Sequence, residues 1–360
     1  MKKSLFIMAL GAIALTSCSQ DEVLEVKQDA ITFGTYADNA SRADITTTTT
    51  IEDFKVYGVH YDGSPATYTT YIYGLVCERA TTGTSWVNYD SGYYWPMGTM
   101  DFYAVSPSSN SITMGTLGAV ASNQAQIKDY TITDALTGNT DDLLYAITDE
   151  ETKKAEDVVL HFKHALSQIA FQVGVAANFT QSVTVEVNSI SVVNVKNKGT
   201  FAYPKVETLG TTEDAAADQL WTVAGDALAK TYTVSPSDYS VAYTKGTAAL
   251  GAETESMLLL PQEINASSVA AWTTGSHFIL DVDIKDTATG IYLVKDEPTY
   301  VPVDIDWRPG VKYIYKFTYA DGGNGGVDEG GNEQLYKIKF ECTVATFAET
   351  TQEVPVEVAP

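Results

Sequence analysis

The sequence predicts an all-β protein, built as two tandem sandwiches with Greek-key connections. Three observations carry that expectation. Segments rich in Thr, Val, Tyr and Ile alternate with period two, each alternation has one apolar and one polar face, and helical periodicity is scarce. One wet face and one dry face mark antiparallel strands over a core.

The strands follow in order as "FKVYGVH" (54–60), "TYTTYIYGLVCE" (67–78), "VVLHFKHALSQIAFQVGV" (158–175), "SVTVEVNSISVVNV" (182–195), "FILDVDIKD" (278–286) and "KYIYKFTY" (312–319). In the fifth, Phe278, Leu280, Val282 and Ile284 share a face, with Asp281 and Asp283 opposite. In the sixth, Tyr313, Tyr315, Phe317 and Tyr319 oppose Lys312, Lys316 and Thr318. Only "AGDALAK" (224–230) and "SSVAAW" (267–272) suggest a turn or two of helix. Alternation is weakest at 176–182, which puts a boundary between an N-terminal sandwich, 43–178, and a C-terminal one, 179–347. The glycine-rich stretch 320–334 reads as a flexible linker inside the second. Strand character resumes over 335–347, and the tail 348–360 carries Val354, Val356 and Val358 in alternation with Glu353, Pro355 and Glu357.

The N-terminus has a different logic. Lys2 and Lys3 precede an apolar run from Leu5 to Leu15, and eleven residues of helix span about 16 Å, half a bilayer core. Residues 1–17 are therefore a processing signal and not a membrane span. Leu15, Thr16, Ser17 and Cys18 resemble a bacterial lipobox, in which the cysteine takes a lipid before becoming the new N-terminus. Asp21 and Glu22 behind it resemble the export tag that carries Bacteroidetes-type lipoproteins to the outer face of the outer membrane.

Charge and cysteine usage narrow the function. Losing the signal removes two lysines and no acids, so the formal charge moves from −24 to −26. Such a surface repels nucleic acid and anionic lipid. Beyond Cys18 the cysteines are Cys77 and Cys342, too few and too far apart for a disulfide framework or a metal site, and each is expected to pack as a small hydrophobe. His161 and His164 point to opposite faces of a strand, which argues against a metal pair. "GGNGGVDEGG" and "DVDIKDTATG" both miss the spacing of a calcium loop. No nucleophile elbow or CxxC occurs, so neither an enzyme nor a cofactor is expected.

Arg42, one of three arginines, lies in "NASRAD" between small residues, where an extended chain is open to a protease. With the lipobox, "VLEVKQDAITFG", "YYWPMGTMDFYAVSP" (93–107), "VVLHFKHALSQIAFQV" (158–173) and "WRPGVKYIYKFTY" (307–319), the chain resembles the fimbrillin family, the Mfa-like or FimA-like pilins, over essentially its whole length. The resemblance implies two transthyretin-like β-sandwich domains and delivery to the cell surface as a lipoprotein anchored at Cys18. It further implies that an arginine-specific protease cuts between Arg42 and Ala43, and that the pro-segment 18–42 leaves with a first strand containing Val23, Val26, Ile31 and Phe33. Other copies or homologous subunits then polymerise by strand exchange into a fimbria that supports adhesion. Arg42 together with a valine-rich tail favours a stalk-type subunit.

The chemistry of that scheme is β-augmentation: an unpaired sheet edge captures an extended peptide. Val354, Val356 and Val358 are the candidate donor strand, each worth about 1.5 to 3 kcal/mol when buried. Pro355 requires that its missing donor face away from the ladder. The alternative is a surface glycan-binding lipoprotein of a polysaccharide-uptake system, with Trp86, Tyr89, Tyr93, Tyr94 and Trp95 as stacking platforms. "DTA" (286–288) also matches a short O-glycosylation acceptor pattern, with Thr287 as acceptor.

Overall fold

The computed structural model describes residues 30–37, 51–61, 68–79, 86–88, 92–114, 125–136, 141–204, 220–269, 271–320 and 325–346. Every regular element among them is a β-strand, as the alternation predicts. The first eight are β1 (Phe33–Ala37), β2 (Asp53–Tyr61), β3 (Tyr68–Arg79), β4 (Trp86–Asn88), β5 (Thr99–Ser106), β6 (Gln126–Thr131), β7 (Leu144–Glu151) and β8 (Val158–His164). Next come β9 (Ser167–Val175), β10 (Val183–Lys196), β11 (Lys198–Ala202), β12 (Trp221–Val223), β13 (Ala229–Val234), β14 (Ser240–Tyr243), β15 (Ala249–Leu250) and β16 (Met257–Leu259). The remainder are β17 (Glu263–Ile264), β18 (His277–Asp286), β19 (Tyr292–Val294), β20 (Thr299–Pro302), β21 (Ile305–Asp306), β22 (Val311–Tyr319), β23 (Gly325–Val327) and β24 (Glu333–Thr346). The two short helical readings become turns, closed by Ala227 N to Ala224 O at 3.0 Å and Ala271 N to Ser268 O at 2.8 Å. Four or five apolar residues without a packing face do not nucleate a helix.

The first sheet runs β1-β8-β7-β5-β2-β3-β4. It curls around its own core, where Phe33 meets Phe102 edge-on at 5.5 Å and Phe54 meets Phe162 at 5.4 Å. The larger sheet runs β13-β10-β18-β20-β23-β24-β22-β9-β15 and folds over on itself. Phe278 of β18 lies 5.5 Å from Phe171 of β9 and 5.4 Å from Phe317 of β22, so the two halves form a sandwich with an aromatic centre. The alternating faces read from the sequence are the buried ones: Phe278, Leu280, Val282, Ile284, Tyr313, Tyr315, Phe317 and Tyr319 all lie in the core. Asp283 departs from the pattern. It is buried too, and its carboxylate accepts the Asp296 backbone N–H at 3.2 Å from the neighbouring turn.

The chain passes from the first sheet to the larger one between β8 and β9, through Ala165 and Leu166. A third sheet, β12-β11-β6, joins the halves by pairing β6 with β11. Tyr203 donates to the Ala104 carbonyl at 2.7 Å and Trp221 Nε1 to the Ala165 carbonyl at 2.6 Å across the same junction. The stretch expected as a flexible linker, 320–334, contains β23, which pairs with both β20 and β24. Composition misses it because the turn is closed by specific hydrogen bonds: Asp328 Oδ1 accepts the Asn332 N–H at 2.8 Å and the Asp328 N–H donates to the Asn332 carbonyl at 2.9 Å. β24 then pairs antiparallel with β22, from Ile338 opposite Tyr319 to Thr346 opposite Val311.

Candidate functional site

The first strand is held by the fold in an unusual way. β1 pairs in parallel with β8, from Phe33 opposite Val158 to Ala37 opposite Phe162, and the Val158 N–H donates to the Thr32 carbonyl at 2.8 Å. Just ahead of β1, the Ile31 N–H donates to the Tyr93 carbonyl at 3.0 Å, and Ala30 bridges Tyr94. At the opposite end of the same sheet, Trp86 of β4 donates its indole N–H to Thr35 Oγ1 at 2.9 Å. The curled sheet therefore closes on β1, with β8 on one side and Trp86 and the 93–94 segment on the other.

Burial follows from alternation. Ile31 and Phe33 point inward, at 2% and 5% exposure, while Ala30 and Thr32 point out. On β8 the same rule buries Val158, Leu160 and Phe162 and leaves Val159 45% exposed. Removing β1 leaves an apolar seam backed by Phe102 and Phe162, with the outer ladder groups of β8 unpaired. What this arrangement can do is bind an extended peptide by its backbone and every second side chain.

Of the residues singled out from the sequence, Ile31 and Phe33 sit in this seam. Cys18, Val23, Val26, Arg42, Ala43, Val354, Val356 and Val358 lie outside the described residues. Thr287 is exposed in the turn that follows β18, where Thr289 donates both its backbone N–H and its hydroxyl to Asp286 Oδ1 at 2.7 Å. Those hydrogen bonds, the hydroxyl's foremost, hold the Asp286 carboxyl below the usual carboxylate range. His161 and His164 face opposite sides of β8; His164 is buried against Asp142, Nδ1 to Oδ2 at 2.7 Å, and no group of metal ligands occurs among the described residues.

The aromatic cluster considered as a sugar platform is mostly wall. Trp86 packs edge-on against Phe54 at 4.7 Å, Trp95 against Phe102 at 6.0 Å and Tyr93 against Tyr71 at 5.8 Å, while the Tyr71 hydroxyl donates to the Tyr94 carbonyl at 2.8 Å. Tyr89 lies outside the described residues. Sequence reasoning missed that Trp86 and Tyr93 grip β1. The available signal was "YYWPMG", whose Gly98 has φ 101° and whose Cβ equivalent would meet the Tyr61 carbonyl oxygen. That turn requires glycine and sets 92–97 against the sheet.

Cys77 is buried in β3 as a free thiol, and burial pushes its pKa up to about 12. Only the thiolate reacts, and at pH 8 it amounts to about one part in ten thousand. In a chain lacking Cys18 and carrying Cys342→Ser, an aromatic disulfide reagent is expected to release no chromophore from the native protein at pH 8 and one equivalent after denaturation. Prompt reaction of the native protein would contradict this burial.

Fold and site together define an all-β protein whose first described strand closes a seam in its own sheet. A family model for fimbrillin-like proteins matches residues 41–346. The chain belongs to the fimbrillin-like family. Among solved structures, a fimbrial protein from Bacteroides vulgatus aligns with a TM-score of 0.57 at 16% identity, covering 88% of this chain and 99% of its own, and so shares the fold. A candidate cell adhesion protein from Bacteroides uniformis aligns at 0.42 and 15% identity, covering 89% and 100%, and one from Parabacteroides distasonis at 0.49 and 10%, covering 90% and 99%. No curated protein matches the chain.

Proposed function

We propose that this chain is a structural subunit of a cell-surface fimbria, exported as a lipoprotein on Cys18, matured by cleavage between Arg42 and Ala43, and polymerised by β-strand exchange. The observation that carries the reading is the seating of Ile31 and Phe33: the strand just upstream of the proposed cut closes an apolar seam and pairs with β8 from Val158 to Phe162. Family membership and the shared fold support the same reading. Excision of 18–42 opens the seam, and Val354, Val356 and Val358 of another subunit fill it. The partners are then other copies or homologous subunits, an arginine-specific protease, and, before maturation, the outer membrane through the lipid. In this scheme the division into two units falls at Ala165–Leu166, where the chain changes sheet, and β24 stays in its own sandwich while the segment after it is exchanged.

Treating the purified precursor with an arginine-specific protease is expected to give a new N-terminus at Ala43 and ladders that resist mild heating in SDS. Arg42→Ala is expected to abolish both. A cut chain that never forms ladders, at any concentration, would falsify the exchange mechanism.

A further inference from the structure

We propose that Trp86 selects the strand that occupies the seam: its indole N–H favours an occupant that carries a hydroxyl two residues after a buried aromatic side chain. This deepens the reading above, and rests on it, in that β1 is excised and another strand takes its place.

The place of Thr35 carries the inference. β1 turns Ile31 and Phe33 inward, and Thr35 comes next on the same side, opposite Leu160 of β8. Leu160 and Phe162 are fully buried, so bulk alone would put an apolar side chain there. Threonine stands there instead, half-buried, and its Oγ1 accepts from Trp86 Nε1 at 2.9 Å. The donor comes from β4, the last strand of a sheet that begins with β1.

The indole is held in its aim by groups that belong to neither β1 nor β8. Its ring meets Phe54 edge-on at 4.7 Å, and the Arg79 guanidinium lies 4.6 Å over it, from the residue directly across the β3–β4 ladder. Phe54 is fully buried and packs in turn on Phe162 at 5.4 Å. Turning the N–H away from the seam breaks these contacts, so the donor is set before a strand arrives. An occupant without an acceptor leaves this half-buried N–H unpaired, which costs the desolvation of the donor as well as the bond. The other features of the seam are less exacting: apolar walls sort side chains by bulk, and a ladder accepts any extended backbone. A wall cannot tell threonine from valine, which has the same shape; a fixed donor can.

Peptides of the first strand test this. After cleavage and gel filtration, a fluorescein-labelled peptide of residues 30–37 is expected to bind the cut protein, its Thr35→Val version about fivefold more weakly, and its Thr35→Ser version within about twofold of the first. In a cut protein carrying Trp86→Phe, the unaltered and Thr35→Val peptides are expected to bind alike, an outcome that a tryptophan with a merely structural role would not give. Equal binding of those two to the wild-type cut protein overturns the selection and leaves strand exchange standing. Binding of none of the peptides overturns the reading that excision opens the seam, and the selection with it. The uncut precursor gives a second readout that needs no cleavage: Thr35→Val is expected to raise the unfolding constant about fivefold, and Thr35→Ser by less than about twofold. If Thr35→Val changes nothing there, or changes as much in a Trp86→Phe background, Trp86 does not read the strand.

Discussion

Phe33→Ala is expected to lower the unfolding free energy of the uncut precursor by about 3 kcal/mol, the low end of the range for truncating a buried phenylalanine. The ring is 5% exposed and meets Phe102 edge-on at 5.5 Å, in a strand paired along its length with β8. Truncation leaves a cavity between Phe102 and β8 that neither rigid neighbour can collapse into. Val159→Ala, on the exposed face of β8, is expected to cost less than about 1 kcal/mol. Denaturant unfolding checks both, and the second half of the test is sharper: in the cleaved protein the strand bearing Phe33 is gone, so wild type and variant must coincide. A loss below about 1 kcal/mol in the precursor would mean that Phe33 does not close the seam.

The second large effect lies at the crossing between the sheets. Asp142 Oδ2 and His164 Nδ1 are 2.7 Å apart with both side chains buried, at the point where the Ala165 N–H still donates to the Leu143 carbonyl. Tyr130 of β6 is near enough that burial first, and the charge of Asp142 second, raise its hydroxyl pKa. Asp142 thus stands where β6, β7 and β8 meet. Asp142→Ala is expected to cost about 3 kcal/mol, because it strips a buried polar partner and leaves a hole. Asp142→Asn keeps an acceptor in place and is expected to cost about half as much. Equal losses for the two variants in denaturant unfolding would show that the pair is incidental packing.

These two sites mark how far the sequence could be read. Alternation assigns faces, and it did so for Phe278 through Ile284 and for Tyr313 through Tyr319, because period two depends only on which side of a strand meets the core. Ile31 and Phe33 were named through the family resemblance, as part of the first strand, and not through alternation. Alternation does not say which strands are neighbours. That Trp86 reaches Thr35, or that β6 pairs with β11 some seventy residues on, follows from the curl of a sheet and the course of loops, neither of which leaves a periodic trace. Asp283 was read as solvent-facing because its partner is a backbone N–H at Asp296, which composition cannot show. The strand inside 320–334 was hidden for a related reason: glycine content registers as looseness, while the order comes from pairing with β20 and β24 and from the turn that Asp328 and Asn332 close.

The continuity of β8 into β9 bears on mechanics. Whatever strand sits in the seam pulls on β8, and two residues later that pull reaches β9, which is not at the rim of its sheet. β9 is flanked by β22 along its whole length, from Gln168 to Val175, and by β15 and β16 on its other side. In the fibre proposed above, such a pull meets an interior strand held in shear by the hydrogen bonds of β22, which in turn pairs with β24. β9, β22 and β24 are three adjacent strands of one sheet, so the force crosses hydrogen-bond ladders and not a loop.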